Sequence, residues 1–139
     1  NVVNCPVREV GFRDPYGQPF TVKLTPEGKN DKLFNNLPDV LTVFQLHGEM
    51  VQTTSKMTLL ATGEYCHNQI VKFGSNAYGI QSHFELTMEL LESWISEDSD
   101  LQKLNAEQLR SDFKSIESDY LKTGRQLFNN FLILSRLVK

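Results

Sequence analysis

The chain has 139 residues, 40% of them apolar and 22% charged, which is the size and composition of one globular domain with a core of its own. A net charge of −3 and the lack of any Lys/Arg-rich block exclude an electrostatic grip on a nucleic-acid backbone. No apolar run reaches the roughly 18 residues of a membrane span and no signal peptide opens the chain, so neither a membrane nor a nucleic acid is expected as a partner.

In chain order, "NVVNCPVREVGF" opens without an initiator Met and inside what reads as ordered structure, as though residues preceded it. Arg8 to Phe12 is a short strand candidate, and Asp14 to Pro19, "DPYGQP", is dense in turn residues. Phe20 to Leu24, "FTVKL", alternates apolar and polar residues with period 2 and predicts a strand. A short helical piece is expected around Asp31–Asn35, stopping at Pro38. A strand follows over Val40–His47 and ends at Gly48; another runs from Met57 to Gly63. Ile70–Phe73 and Ala77–Gln81 predict a hairpin turning at Gly74-Ser75-Asn76.

Thr87 is placed to cap a helix over Met88–Ile95, after which "SEDSD", Ser96 to Asp100, reads as an acidic linker. Asn105 with Gln108 resembles a capping box. From there Leu109, Phe113, Ile116, Tyr120, Leu127, Phe131 and Leu134 recur in steps that mark one buried stripe of a long helix. Gly124 interrupts the stripe, where it bends the helix or admits a close neighbour. Strands first and helices last predict an α/β domain with a mixed sheet covered on at least one face, without the βαβ alternation of a complete doubly wound domain.

The stretch "GIQSHFELT" carries the clearest candidate chemistry. His83 and Glu85 stand two apart, so they share a face of an extended segment, or a turn after His83 returns the carboxylate to the ring. Either way Glu85 can hold one imidazole nitrogen and leave the other to take a proton from a thiol or hydroxyl. The bland reading is an ordinary histidine beside an exposed acid, and the tripeptide alone does not choose between them. His47, at a strand end before Gly48, sits over a pocket or is a plain loop histidine. Glu64, Cys66 and His67 match no structural zinc spacing, so no metal is expected. No nucleophile elbow of the G-x-S-x-G or G-x-C-x-G type is present. Cys5 and Cys66 make no disulfide framework and are expected as reduced thiols of a cytoplasmic protein.

The order of segments from about Val3 to Ile95 resembles the second half of class I glutamine amidotransferase domains, in particular the stand-alone, GMP-synthase-like members. The landmarks are "FQLHGE", with Glu49 where the family commonly has Asp, then Asn68-Gln69 at the hairpin start, then "GIQSHFE" in the place of G-x-Q-F-H-P-E. Ser82 there replaces an aromatic and Phe84 a proline, which leaves the angle of the His–Glu pair open.

The resemblance implies a flavodoxin-like, mixed-sheet amidotransferase half-domain over residues 1–96 and a helical C-terminal extension over 97–139. It implies hydrolysis of the glutamine side-chain amide to glutamate and ammonia by a Cys–His–Glu triad. His83 and Glu85 would be the catalytic residues. Gln45, Leu46 and His47 would line the pocket for glutamine, and no cofactor is implied. The cysteine would lie on a missing N-terminal segment, and this stretch alone would be inactive. A γ-glutamyl amide or peptide hydrolase of the same fold is the alternative within the family; a non-catalytic interaction domain with a decayed site is the alternative outside it. A half-domain also leaves sheet edges bare, so either the associated N-terminal segment or a homodimer is expected to cover them.

Overall fold

A computed structural model describes residues 1–137, which form seven strands and three α-helices. Strand β1 (Val2–Gly11) pairs with β4 (Gln45–Val51) in a two-stranded ribbon. The larger sheet has the order β3-β2-β5-β6-β7, with β2 (Thr21–Leu24), β3 (Val40–Thr42), β5 (Met57–Thr62), β6 (Asn68–Phe73) and β7 (Ala77–Ile80). All these pairs are antiparallel. The helices are α1 (Pro26–Asn30), α2 (Met88–Glu97) and α3 (Ala106–Leu134). The expected fold class, α/β with sheets and a long C-terminal helix, is what the chain adopts. Positions 138 and 139 of the expected extension lie outside the described residues.

Period-2 patterning sets β2: Val22 and Leu24 point into the core while Thr21 and Lys23 face out. The expected strand Val40–His47 is instead two strands in two sheets. Val43 and Phe44 are both 0% exposed, and a strand cannot bury consecutive side chains on one face. The chain therefore breaks there, Val43 N–H donating to the Phe20 carbonyl at 3.0 Å, and β4 starts afresh in the other sheet. β4 also runs past Gly48, whose missing side chain leaves room for Arg8 on β1. β1 in turn begins six residues before Arg8, and its register with β4 shifts between Asn4 and Glu9, across Pro6, which has no N–H for a ladder.

The helical piece expected around Asp31–Asn35 is present as a 3-10 turn, and it is preceded by a helix that was not expected, α1. Thr25 caps α1 by accepting the Gly28 N–H, and Pro26 occupies the first turn. The 3-10 turn over Lys32–Phe34 follows, capped by the Asp31 carboxylate. That carboxylate also accepts from Lys72 Nζ at 2.7 Å and from the Tyr78 hydroxyl at 3.0 Å.

Helices α2 and α3 start on the expected caps, Thr87 accepting from Leu90 N–H and Asn105 from Gln108 N–H. The stripe of α3 buries Leu109, Phe113, Tyr120 and Leu127 against the core. Two polar anchors fix its ends. Arg13 forks onto Asp112 at 2.7 and 2.8 Å, and that hydrogen-bonded guanidinium outweighs burial in holding the carboxyl below its ordinary range. Asn130 donates to the Leu33 and Asn35 carbonyls at 2.8 and 2.9 Å.

The cysteines depart from expectation. Cys5 on β1 and Cys66 in the β5–β6 connection are joined in a disulfide with Cα atoms 5.0 Å apart, although 61 residues separate them in sequence. The reduced-thiol expectation rested on their sparse spacing. Contacts of Cys66 with Glu9 and Val7 on β1 hold the β5–β6 connection against that strand and bring the two together.

Candidate functional site

β7 ends at Ile80, and Gln81–Thr87 link it to α2. Burial alternates here: Ser82, Phe84 and Leu86 point inward, leaving His83 and Glu85 outward. A turn at Phe84–Glu85 folds the carboxylate back on the ring, the second of the two arrangements the spacing allowed. His83 Nδ1 lies 2.7 Å from Glu85 Oε1. A carboxylate only accepts, so Nδ1 carries a proton, and in the neutral ring the lone pair is then on Nε2. No hydrogen-bond partner for Nε2 is present among the described residues. The side chains are 30% and 59% exposed, so this pair orients the ring and adds little to stability.

The imidazole is held on its apolar sides as well. Its centroid is 4.9 Å from the Trp94 ring, edge to face, and 6.4 Å from Phe44. Its backbone N–H donates to the Phe44 carbonyl at 3.1 Å, placing His83 beside the start of β4.

Beside it lies a buried polar cluster. Glu9, Gln45 and Gln69 are each 1% exposed and Ser82 5%. Glu9 Oε2 accepts from the amide nitrogens of Gln45 at 3.0 Å and Gln69 at 2.7 Å. Gln69 Oε1 accepts from Gln45 at 3.0 Å, and Gln69 donates to the Cys66 carbonyl at 2.9 Å. His47 joins through Nε2, 3.1 Å from both Glu9 Oε2 and Gln45 Oε1, while its Nδ1 faces the Glu49 carbonyl at 3.1 Å. A carboxylate this deep persists only because donors surround it.

Thus His83 and Glu85 meet directly, and so do Gln45 and His47. The Gln45 side chain is used up inside the cluster, so any ligand role at that position falls on the main chain. Leu46 is half-buried against the core. His47 lines a cleft of about 440 Å³ with Arg8, Glu49 and Gln81. Glu85 lines another of about 570 Å³, walled mainly by Tyr78, Phe84, Leu127, Phe128 and Phe131. His83 is in the wall of neither. Cys5, His47 and Cys66 bring their ligating atoms within 4.8 Å of one another. The two sulfurs are bonded to each other and both His47 nitrogens face oxygens, so the trio as it stands holds no metal.

The sequence reading missed Glu9, Trp94 and Tyr120 as parts of this region. Glu9 had one usable signal: an acid in the middle of a strand otherwise headed for the core. Trp94 and Tyr120 read as ordinary members of helical stripes, because nothing in periodicity separates an aromatic that touches a site from one that fills a core.

No protein-family profile matches the chain. In sequence it is 34% identical over 94 residues to the glutamine amidotransferase-like protein YfeJ of Salmonella typhimurium, an alignment covering 68% of this chain and 36% of that protein. In structure it superposes on SMU.1228c with a TM-score of 0.78 and 27% identity, over 97% of this chain and 56% of the other. A glutamine amidotransferase from Thermotoga maritima gives a TM-score of 0.78 at 24% identity, over 95% of this chain and 54% of that one.

Fold and sequence therefore define the class: the chain has the glutamine amidotransferase fold and resembles class I glutamine amidotransferases. It spans about a third of the curated relative's length (36%) and just over half of each structure's. No helix among the described residues is long and apolar enough to cross a membrane.

Proposed function

We propose that this chain supplies the base and its orienting carboxylate for hydrolysis of the glutamine side-chain amide, to a nucleophilic cysteine that lies outside these 139 residues. The observation that carries the reading is the 2.7 Å contact that fixes the His83 proton on Nδ1 and leaves Nε2 open. Nε2 takes the thiol proton, and the thiolate attacks the amide carbon. Collapse of the tetrahedral intermediate expels ammonia with the proton returned from Nε2. Water, deprotonated by the same nitrogen, then cleaves the thioester to glutamate. Glu85 holds the tautomer and stabilises the imidazolium throughout.

Cys5 and Cys66 are unsuited to the nucleophile's part while joined to each other. Main-chain groups of Gln45, Leu46 and His47 receive the amino-acid end of glutamine in this reading, and the segment bearing the thiol closes the site over His83. Residues 1–96 make up the amidotransferase part and 97–139 its helical extension; the associated segment or a second copy covers the bare sheet edges. The setting is cytoplasmic, although the Cys5–Cys66 bridge pulls the other way, since disulfides persist mainly in oxidising compartments. An intact His83–Glu85 contact speaks against a decayed, purely interacting domain.

The reading is tested by assaying the full-length protein for ammonia and glutamate, with free glutamine and γ-glutamyl dipeptides offered side by side. Glutamine is expected to be the better substrate by kcat/KM. Preference for the dipeptides would move the function to a γ-glutamyl hydrolase, and no turnover of either would overturn it.

A further inference from the structure

The long C-terminal helix does more than cover the sheet: it grips the main chain of the His83–Glu85 turn. Three contacts converge there. The Tyr120 hydroxyl donates to the His83 carbonyl at 2.6 Å and accepts the Phe44 N–H at 3.1 Å. Through these two bonds one side chain of α3 ties the base to the start of β4. The Phe84 ring stacks on Tyr120, with centroids 6.0 Å apart and planes 21° apart. One turn further along, Gly124 lets the Phe84 carbonyl approach the helix so closely that any side chain would strike it.

Tyr120 itself is 3% exposed. Burial above all, with the Glu85 charge adding to it against the Phe44 N–H, pushes its phenol above the ordinary tyrosine value, so it remains a donor. A buried phenol with both donor and acceptor functions satisfied is rotationally locked. The peptide groups on either side of the His83 side chain are thereby fixed: N–H to Phe44, C=O to Tyr120.

We infer that Tyr120 is a positioning residue for His83, and that α3 sets the angle at which Glu85 meets the imidazole. This rests on the proposed role of His83 as base and adds an element the His–Glu pair does not contain. The His–Glu contact is partly open to solvent, where a single hydrogen bond fixes geometry weakly. Tyr120 and Gly124 add restraint from the helix, acting on the His83 carbonyl and on the Phe84 ring and carbonyl.

The test is Tyr120→Phe in the full-length protein, which keeps the ring and removes both hydrogen bonds. Nitrogen-15 NMR of the histidine rings reads the tautomer, and the pH profile of kcat reads its consequence. In the wild type, the His83 nitrogens should report the Nδ1–H form. In the variant the two shifts should move toward each other, and kcat should fall about fivefold, the weight of the one lost bond that holds the His83 carbonyl, with KM little changed. Should Tyr120→Phe fold poorly, Gly124→Ala displaces the Phe84 carbonyl with both Tyr120 bonds chemically intact, and the same shift changes are expected. Unchanged His83 shifts in a folded variant overturn the inference. The chemical reading fails separately: if His83→Ala turned over glutamine normally, the base assignment would be lost while the ring shifts still judged the positioning.

Discussion

Replacing His83 by alanine in the full-length protein is expected to lower glutamine-dependent ammonia release by ~10²–10⁴-fold, the usual contribution of a general base. The loss should fall on kcat, because in the proposed mechanism Nε2 acts on protons that move only as the thiol attacks and the amide leaves. Folding should survive. The ring is partly exposed, and the position is anchored by its own N–H and C=O, which alanine retains. Glu85→Gln should cost less, since an amide oxygen can still accept from Nδ1 while giving up the charge that stabilises the imidazolium. Normal turnover by His83→Ala, measured by ammonia release on folded protein, would remove this residue from the mechanism.

The largest stability effect is expected at Glu9. In Glu9→Leu the amide nitrogens of Gln45 and Gln69 both lose their carboxylate at sites sealed from water, and the partly buried His47 loses that partner as well. Breaking a buried ionic cluster from one side typically costs about 3–5 kcal/mol, and urea unfolding of wild type and variant measures it. Glu9→Gln should cost distinctly less, because its Oε1 still accepts from one of the two amides. A loss under about 1 kcal/mol in Glu9→Leu would mean that water reaches the cluster. The same variant should disturb the His47 cleft, because Gln45 Oε1 and Glu9 Oε2 together face its Nε2.

What could be read from the chain alone follows from where its signals are local. The cap at Thr87, the cap at Asn105 and the alternation in Thr21–Leu24 each depend on a few adjacent residues, and each element appears where those residues place it. The hairpin of β6 and β7 around Gly74 is equally local, its left-handed glycine at φ +59 marking the turn. Gly124 was legible as an exception in a helical stripe, although only the folded chain shows that the neighbour it admits is the Phe84 carbonyl.

The failures are long-range. Val40–His47 reads as one apolar run, and only the burial of both Val43 and Phe44 between two sheets shows why it must break. The bridge from Cys5 to Cys66 spans 61 residues and has no local signature. At the site, the contact between His83 and Glu85 was accessible from spacing because the two residues are neighbours in sequence. The Glu9–Gln45–Gln69 cluster was not, because its members come from β1, β4 and β6. Tyr120 is the sharpest case. It occupies its expected place in the α3 stripe, yet its hydroxyl reaches the carbonyl of a residue 37 positions earlier.

The central claim, that His83 serves a thiol from outside this stretch, is tested most directly by covalent labelling. The full-length protein is treated with a glutamine analogue carrying an electrophilic carbon at the amide position, digested, and searched for the added mass. The account predicts one modified cysteine, outside residues 1–139, with labelling slowed strongly in His83→Ala. An adduct on Cys5 or Cys66, or equal labelling rates in wild type and His83→Ala, would contradict it.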